Sequence, residues 1–201
     1  MEGVTTGSQE PGLDRRSAVS RLLEQLPDAL VVSGLGSPTY DVYAAGQRDT
    51  NFYLWGAMGG AVPLALGLAL AQPDRSVLVV TGDGEQLMGI GSLLTIATKT
   101  PGNLTIVILD NGHFGETGMQ VSHTSLGTDL AAVARGFGIA RARTVETTEQ
   151  LLELADMAAE RSGTAFARVR VGLQENARAM PPRDGIANKN SFRAALGLTT
   201  F

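Results

Sequence analysis

Cysteine is absent from the 201 residues, which excludes disulfides, a thiolate nucleophile and any cysteine-based zinc site. Basic clusters are absent too. The formal charge is −4 with no run of Lys or Arg behind it, which argues against a nucleic-acid footprint. Long apolar runs are missing: the longest, Ala61 to Ala71, is too short for a membrane span and is interrupted by Pro63 and Gly67. The opening residues, MEGVTTGSQEPG, are polar and acidic, unlike the charged-then-apolar build of a signal peptide. There is no internal repeat and no low-complexity tract. These absences point to a soluble cytoplasmic protein with neither nucleic acid nor membrane among its partners.

The length suits one well-buried domain. Residues 1–13, rich in Gly, Ser, Thr and Pro, read as a disordered N-terminal tail. Residues 14–172 read as the domain and 173–201, with Pro181-Pro182, as a C-terminal extension with one short helix near Ser191 to Leu196. Asp14 is placed to cap a first helix whose Ala18, Leu22, Leu23 and Leu26 share one face before Pro27 stops it. Strands are predicted at 29–32, 76–81, 104–110, 139–144 and 164–171. Helices are predicted at 60–72, 85–99, 128–137 and 148–161, and residues 38–55 and 111–127 read as loops. Five strands with intervening helices make an α/β fold, a doubly wound, mainly parallel sheet covered on both faces.

Two short motifs sit where strands should end. Gly82-Asp83-Gly84-Glu85 follows Val77-Leu78-Val79-Val80, and Asp110-Asn111-Gly112 follows Leu104-Thr105-Ile106-Val107-Ile108-Leu109. In open α/β sheets, ligands bind outside the carboxyl ends of the strands. Asp83 offers one carboxylate between two glycines, and a helix starting near Glu85 offers free N–H groups to a phosphate. Asn111, 28 positions further on, adds an amide oxygen. Together with a backbone carbonyl and phosphate oxygens, these form a hard-oxygen site for Mg²⁺. Alone, Asp83 reads equally well as a capping aspartate and Asn111-Gly112 as a tight turn. Their combination favours a magnesium–diphosphate cradle.

The pairing of GDG with an Asn motif one crossover later resembles the signature of thiamine diphosphate enzymes, over roughly residues 14–172. Here the second motif is Asp110-Asn111 rather than Asn-Asn, with the ligating position kept. The run LDNGHFGETGMQVSHT, Leu109 to Thr124, is most similar to the sulfopyruvate and phosphonopyruvate decarboxylase group. The resemblance implies a thiamine diphosphate-binding fold and a Mg²⁺ ion held by Asp83, Asn111 and the backbone carbonyl of His113. It implies diphosphate contacts from Gly82, Gly84, the backbone N–H groups of Glu85 and Gln86, and Gly36 and Ser37 after the first strand. Gly56-Ala57-Met58-Gly59 matches the family's Gly-x-[Ile/Leu/Met]-Gly stretch. That makes Met58 the apolar wedge that bends the cofactor, and the Gly56 carbonyl the acceptor for its 4′-amino group. The bland reading of Met58 is core filling.

His113, Glu116 and His123 cluster after the metal motif as candidate substrate-facing groups, with a solvated loop as the alternative. The hydroxyls of Thr117, Ser122 and Thr124 are candidate binders of a sulfonate, phosphonate or carboxylate. Gly34-x-Gly36 lacks the third glycine and the ribose-binding acid of a dinucleotide site. Family members also need a pyrimidine-binding domain whose Glu activates the cofactor, and outside its tails this chain has no room for one. The resemblance therefore implies one subunit of a hetero-oligomer that takes its activating Glu from an α-type partner and decarboxylates a small anionic 2-oxo acid such as 3-sulfopyruvate. An acetolactate synthase-like carboligase subunit and a non-catalytic scaffold subunit are the alternatives.

Overall fold

The computed structural model describes residues 12–200. The tail expected over 1–13 lies outside the described residues except for Gly12 and Leu13, and Leu13 bridges in parallel to Val171. The chain runs α1 (Arg15–Gln25), β1 (Leu30–Ser33), α2 (Ser37–Ala44), β2 (Asn51–Tyr53), α3 (Ala61–Ala71), β3 (Val77–Gly82), α4 (Asp83–Met88), α5 (Ser92–Lys99) and β4 (Leu104–Asp110). It continues through β5 (His113–Phe114), β6 (Gln120–Val121), α6 (Leu130–Gly136), β7 (Arg141–Val145), α7 (Thr148–Glu160), β8 (Ala165–Arg170) and α8 (Gly185–Ala195).

The main sheet has six parallel strands in the order β2-β1-β3-β4-β8-β7. Period-two alternation splits its side chains between two cores. Val31, Leu78, Val80, Val107 and Leu109 face α1, α2 and α7. Leu30, Val32, Val77, Val79, Ile106 and Ile108 face α3, α5, α6 and α8. Covering on both faces explains why β1 and β4 are buried along their whole length.

Caps set the helix starts. Asp14 accepts from the Ser17 N–H at 2.8 Å, and Thr147 with Gln150 forms a capping box on α7. The expected loop 38–55 contains α2 and the edge strand β2, so the main sheet has six strands rather than five. The helix expected over 85–99 is two helices, broken at Gly89-Ile90-Gly91. Its cause is a close backbone approach: a Cβ on Gly89 would lie 2.3 Å from the Gly59 carbonyl oxygen. The loop 111–127 folds into the antiparallel pair β5–β6 and two 3₁₀ turns.

From β1 the chain moves outward to β2, then returns to place β3 on the other side of β1. The ends of β1 and β3 therefore open at a topological switch point. After β8, residues 173–184 cross back over α1 and α2. Arg16 donates to the Ala177 carbonyl at 2.7 Å, and Trp55 Nε1 donates to the Pro182 carbonyl at 3.3 Å. α8 then docks beside β2, with Phe192 edge-to-face on Phe52 at 5.5 Å. It is longer than the short helix expected near Ser191.

Candidate cofactor site

The cleft at the switch point encloses about 750 Å³ including its open mouth. β1 leads into its Leu35, Ser37 and Pro38 wall. β3 and α4 bring Gly82, Asp83, Gly84, Glu85 and Met88, and β4 leads to Asn111, His113 and Glu116. Gly84 has a steric reason to be glycine: a Cβ there would sit 2.6 Å from the Phe114 ring.

Asp83 is 2% exposed. Ser122 donates a short hydrogen bond to its Oδ2, and Thr124 donates to the same oxygen at 3.1 Å. No cationic side chain pairs with it among the described residues. Burial pushes its carboxyl up to about 6, the neighbouring Asp110 charge adds to the rise, and the two hydroxyls oppose it. Asp110, 3% exposed, forms a tight ion pair with Arg168. It also accepts from Thr124 at 2.7 Å and from the Gly112 N–H at 2.9 Å.

Asn111 sits in an Asx turn, its Oδ1 accepting from the His113 N–H at 3.0 Å, while the His113 ring Nδ1 lies 2.9 Å from the Asn111 carbonyl oxygen. Glu85 spans the switch point: its Oε2 accepts from Leu35 N–H at 3.0 Å and from Thr81 Oγ1 at 2.7 Å. Its Oε1 is buried without a partner, as are both polar atoms of the Gln86 side chain.

The structure brings Ser37, Met58, Gly82, Asp83, Gly84, Glu85, Asn111, His113 and Glu116 to one cleft. Gly36, Ala57 and Gln86 adjoin lining residues in sequence and Gly56 lies two positions before Met58, but none of the four lines it. His123 is exposed and outside it, opening a 3₁₀ turn. Ser122 and Thr124, read from sequence as hydroxyls for a substrate anion, are buried and committed to Asp83 and Asp110. Thr117 does line the cleft, though its hydroxyl donates to Gln120 Oε1 at 2.8 Å.

Sequence reasoning missed Arg15, Met88, Phe114 and Arg168. For Arg168 a signal existed, a charge in a strand whose neighbours are apolar. Arg15 gave none beyond lying in the first turn of a helix. Among the described residues no group of three or more His, Cys, Asp or Glu could hold a metal ion, so a cation at Asp83 needs amide, carbonyl or ligand oxygens to complete its shell. No helix among them is long and apolar enough to cross a membrane.

Residues 36–169 match the model for the thiamine pyrophosphate enzyme, C-terminal TPP binding domain. The chain is 40% identical over 161 residues to sulfopyruvate decarboxylase subunit beta of Methanothermobacter thermautotrophicus, covering 79% of this chain and 82% of that one. It is 46% identical over 134 residues to phosphonopyruvate decarboxylase of Streptomyces hygroscopicus, covering 66% of this chain and 33% of that one. Relatives of the longer kind are matched over only 33–38% of their length. Benzoylformate decarboxylase from Polynucleobacter necessarius superposes with a TM-score of 0.69 at 21% identity, covering 88% of this chain and 36% of that one, a likeness of fold alone.

Proposed function

Because this chain belongs to the thiamine pyrophosphate enzyme family and carries its C-terminal TPP-binding domain, we propose that it is the diphosphate- and Mg²⁺-binding subunit of a decarboxylase of small anionic 2-oxo acids. One observation carries the reading: a buried carboxylate, Asp83, faces the switch-point cleft with hydroxyl partners and no cation of its own. Asp83, the Asn111 side chain and the His113 carbonyl would hold a divalent ion, which would supply the missing positive charge and an electrostatic anchor for a diphosphate. When bound, thiamine diphosphate supplies a nucleophilic carbon and an electron sink for loss of CO₂ from a 2-oxo acid.

The chain's own residues do the rest. Glu85 fixes Leu35 and with it the Ser37 turn against the diphosphate end. Ser122 and Thr124 hold the Asp83 carboxylate in one orientation. Met58, which lines the same cleft, would support the cofactor, and His113 and Glu116 would line the approach for substrate. Met58 and Met88 are 56% and 55% exposed at the mouth, apolar surface suited to burial against a pyrimidine-binding subunit that contributes the activating Glu. The names of the beta-subunit relatives support that heteromer and a sulfopyruvate-like substrate.

The test is calorimetric titration with thiamine diphosphate, with and without Mg²⁺, for the chain alone and mixed with its pyrimidine-binding partner. Binding should require Mg²⁺ and tighten with the partner, and the reconstituted pair should convert 3-sulfopyruvate to sulfoacetaldehyde. Two pyruvates consumed per CO₂ would instead indicate carboligation. Absence of binding in every mixture would refute the reading. Met58→Ala should lower turnover more than cofactor affinity, and equal losses would return Met58 to a packing role.

A further inference from the structure

Arg15 opens α1 and is 9% exposed, yet it lines the cleft beside Ser37, Asp83 and Asn111. Its Nε makes a tight ion pair with Asp41, itself fully buried and held from the other side by Arg16 Nε at 3.0 Å. The two terminal nitrogens of Arg15 have no partner among the described residues. A long, flexible side chain is thus fixed by one nitrogen, with its remaining donors free.

Charge tells what those donors face. Of the formally charged side chains lining the cleft, Asp83, Glu85 and Glu116 are acidic and Arg15 alone is basic. A diphosphate ester with one divalent cation still carries net negative charge into this acidic surround. Position tells which end of the cleft Arg15 serves. A neighbouring polar recess is also lined by Arg15, Ser37, Asn111 and Glu116, and by neither Met58 nor Met88. Arg15 therefore stands at the Asn111 end, away from Met58 and Met88.

We propose that Arg15 is a phosphate-binding residue of the cleft, its free guanidinium nitrogens donating to the terminal phosphate of thiamine diphosphate and Asp41 holding it in position. The inference rests on the function proposed above. Its geometry suits arginine, because a guanidinium can pair with a carboxylate through one nitrogen and a phosphate through the others.

Calorimetry with Mg²⁺ and the partner subunit tests it, using thiamine diphosphate and thiamine monophosphate as probes. Arg15→Gln should weaken the diphosphate roughly ten- to a hundredfold, as expected for losing charge-assisted hydrogen bonds, and leave the monophosphate unchanged. Arg15→Lys keeps the charge beside Asp41, so it preserves the fold if Arg15→Gln does not. It should show a smaller loss, again confined to the diphosphate. Equal loss for both probes, or none, would overturn the proposal. The other anion within reach is the substrate's acidic group. A raised KM for the 2-oxo acid at saturating cofactor, with unchanged diphosphate affinity, would assign Arg15 to substrate and overturn it too. Failure of the wild-type protein to bind thiamine diphosphate would instead refute the function on which the inference rests.

Discussion

Two carboxylates stand at the ends of adjacent strands, share Thr124 as a hydrogen-bond donor, and live in opposite electrostatic circumstances. Asp110 ends β4 against Arg168, with a backbone N–H and a hydroxyl besides. Asp83 follows β3 with two hydroxyls and its own backbone N–H, and no cation. A buried charge is tolerated when it is paired, and an unpaired one shifts its protonation instead. Asp110 is thus complete within the protein, a strut that fixes the turn bearing Asn111. Asp83 has no cationic partner among the described residues. The two neighbouring carboxylates thus differ in kind, one neutralised within the protein and the other, in the function proposed above, by a bound cation.

Breaking the strut should have the largest effect. Asp110→Ala leaves Arg168, 11% exposed at its side chain, with only a long contact at 3.8 Å to the half-exposed Asp129. Unfolding in urea should show a loss of about 3–5 kcal/mol, typical of removing one partner of a buried pair. Asp83→Ala should spare the circular dichroism spectrum and weaken Mg²⁺-dependent thiamine diphosphate binding at least ~100-fold, about 2.7 kcal/mol. Undiminished affinity in calorimetry would remove Asp83 from the metal shell.

A subtler contrast is the sign of a stability change. Burial holds the Asp83 carboxyl at about 6 against an ordinary 3.8, so the folded chain binds that proton more tightly than the unfolded one. Stability contributed by the proton is lost as pH rises through this window, and the full penalty stands above about 6. Asp83→Asn should therefore stabilise the Mg²⁺-free chain by about 1 kcal/mol near neutral pH, with the gain disappearing below about pH 4. Thermal melts across pH would check it, and destabilisation at neutral pH would contradict the unpaired-charge account. The smallest effect belongs to the shared donor. Thr124→Val should cost about 1 kcal/mol, and less in an Asp83→Asn background, since neighbouring sites couple.

The strands that lead into the site were legible in the sequence because they are continuous apolar runs ending in turn residues. Val77 to Gly82 and Leu104 to Asp110 appear almost as predicted, and the Asp14 cap is where local chemistry puts it. β2 was not legible. Asn51-Phe52-Tyr53 has no strand pattern of its own, and it is a strand because β1 pairs with it and Phe192 packs on Phe52. α2 looked aperiodic because its buried face includes Asp41, a residue only Arg15 and Arg16 make tolerable. Ser122 and Thr124 were misassigned for a related reason: a loop hydroxyl looks the same in sequence whether it meets solvent or a carboxylate 39 or 41 positions away. What escaped the sequence is pairing between distant polar groups, which leaves no periodicity.

The docking of α8 on β2 has a consequence for the order in which the molecule can be completed. Asn188 donates to the Tyr53 carbonyl across 135 positions of chain, and Ser191 to Asp49 across 142. β2 leads directly into the segment that carries Met58. During synthesis, the motifs at the ends of β3 and β4 can assemble while that outer strand still lacks its covering helix. The wall bearing Met58 gains its last support only after residue 192 has left the ribosome, so a chain stalled shortly before that point holds nearly finished turns at Asp83 and Asn111 beside an unfinished Met58 wall.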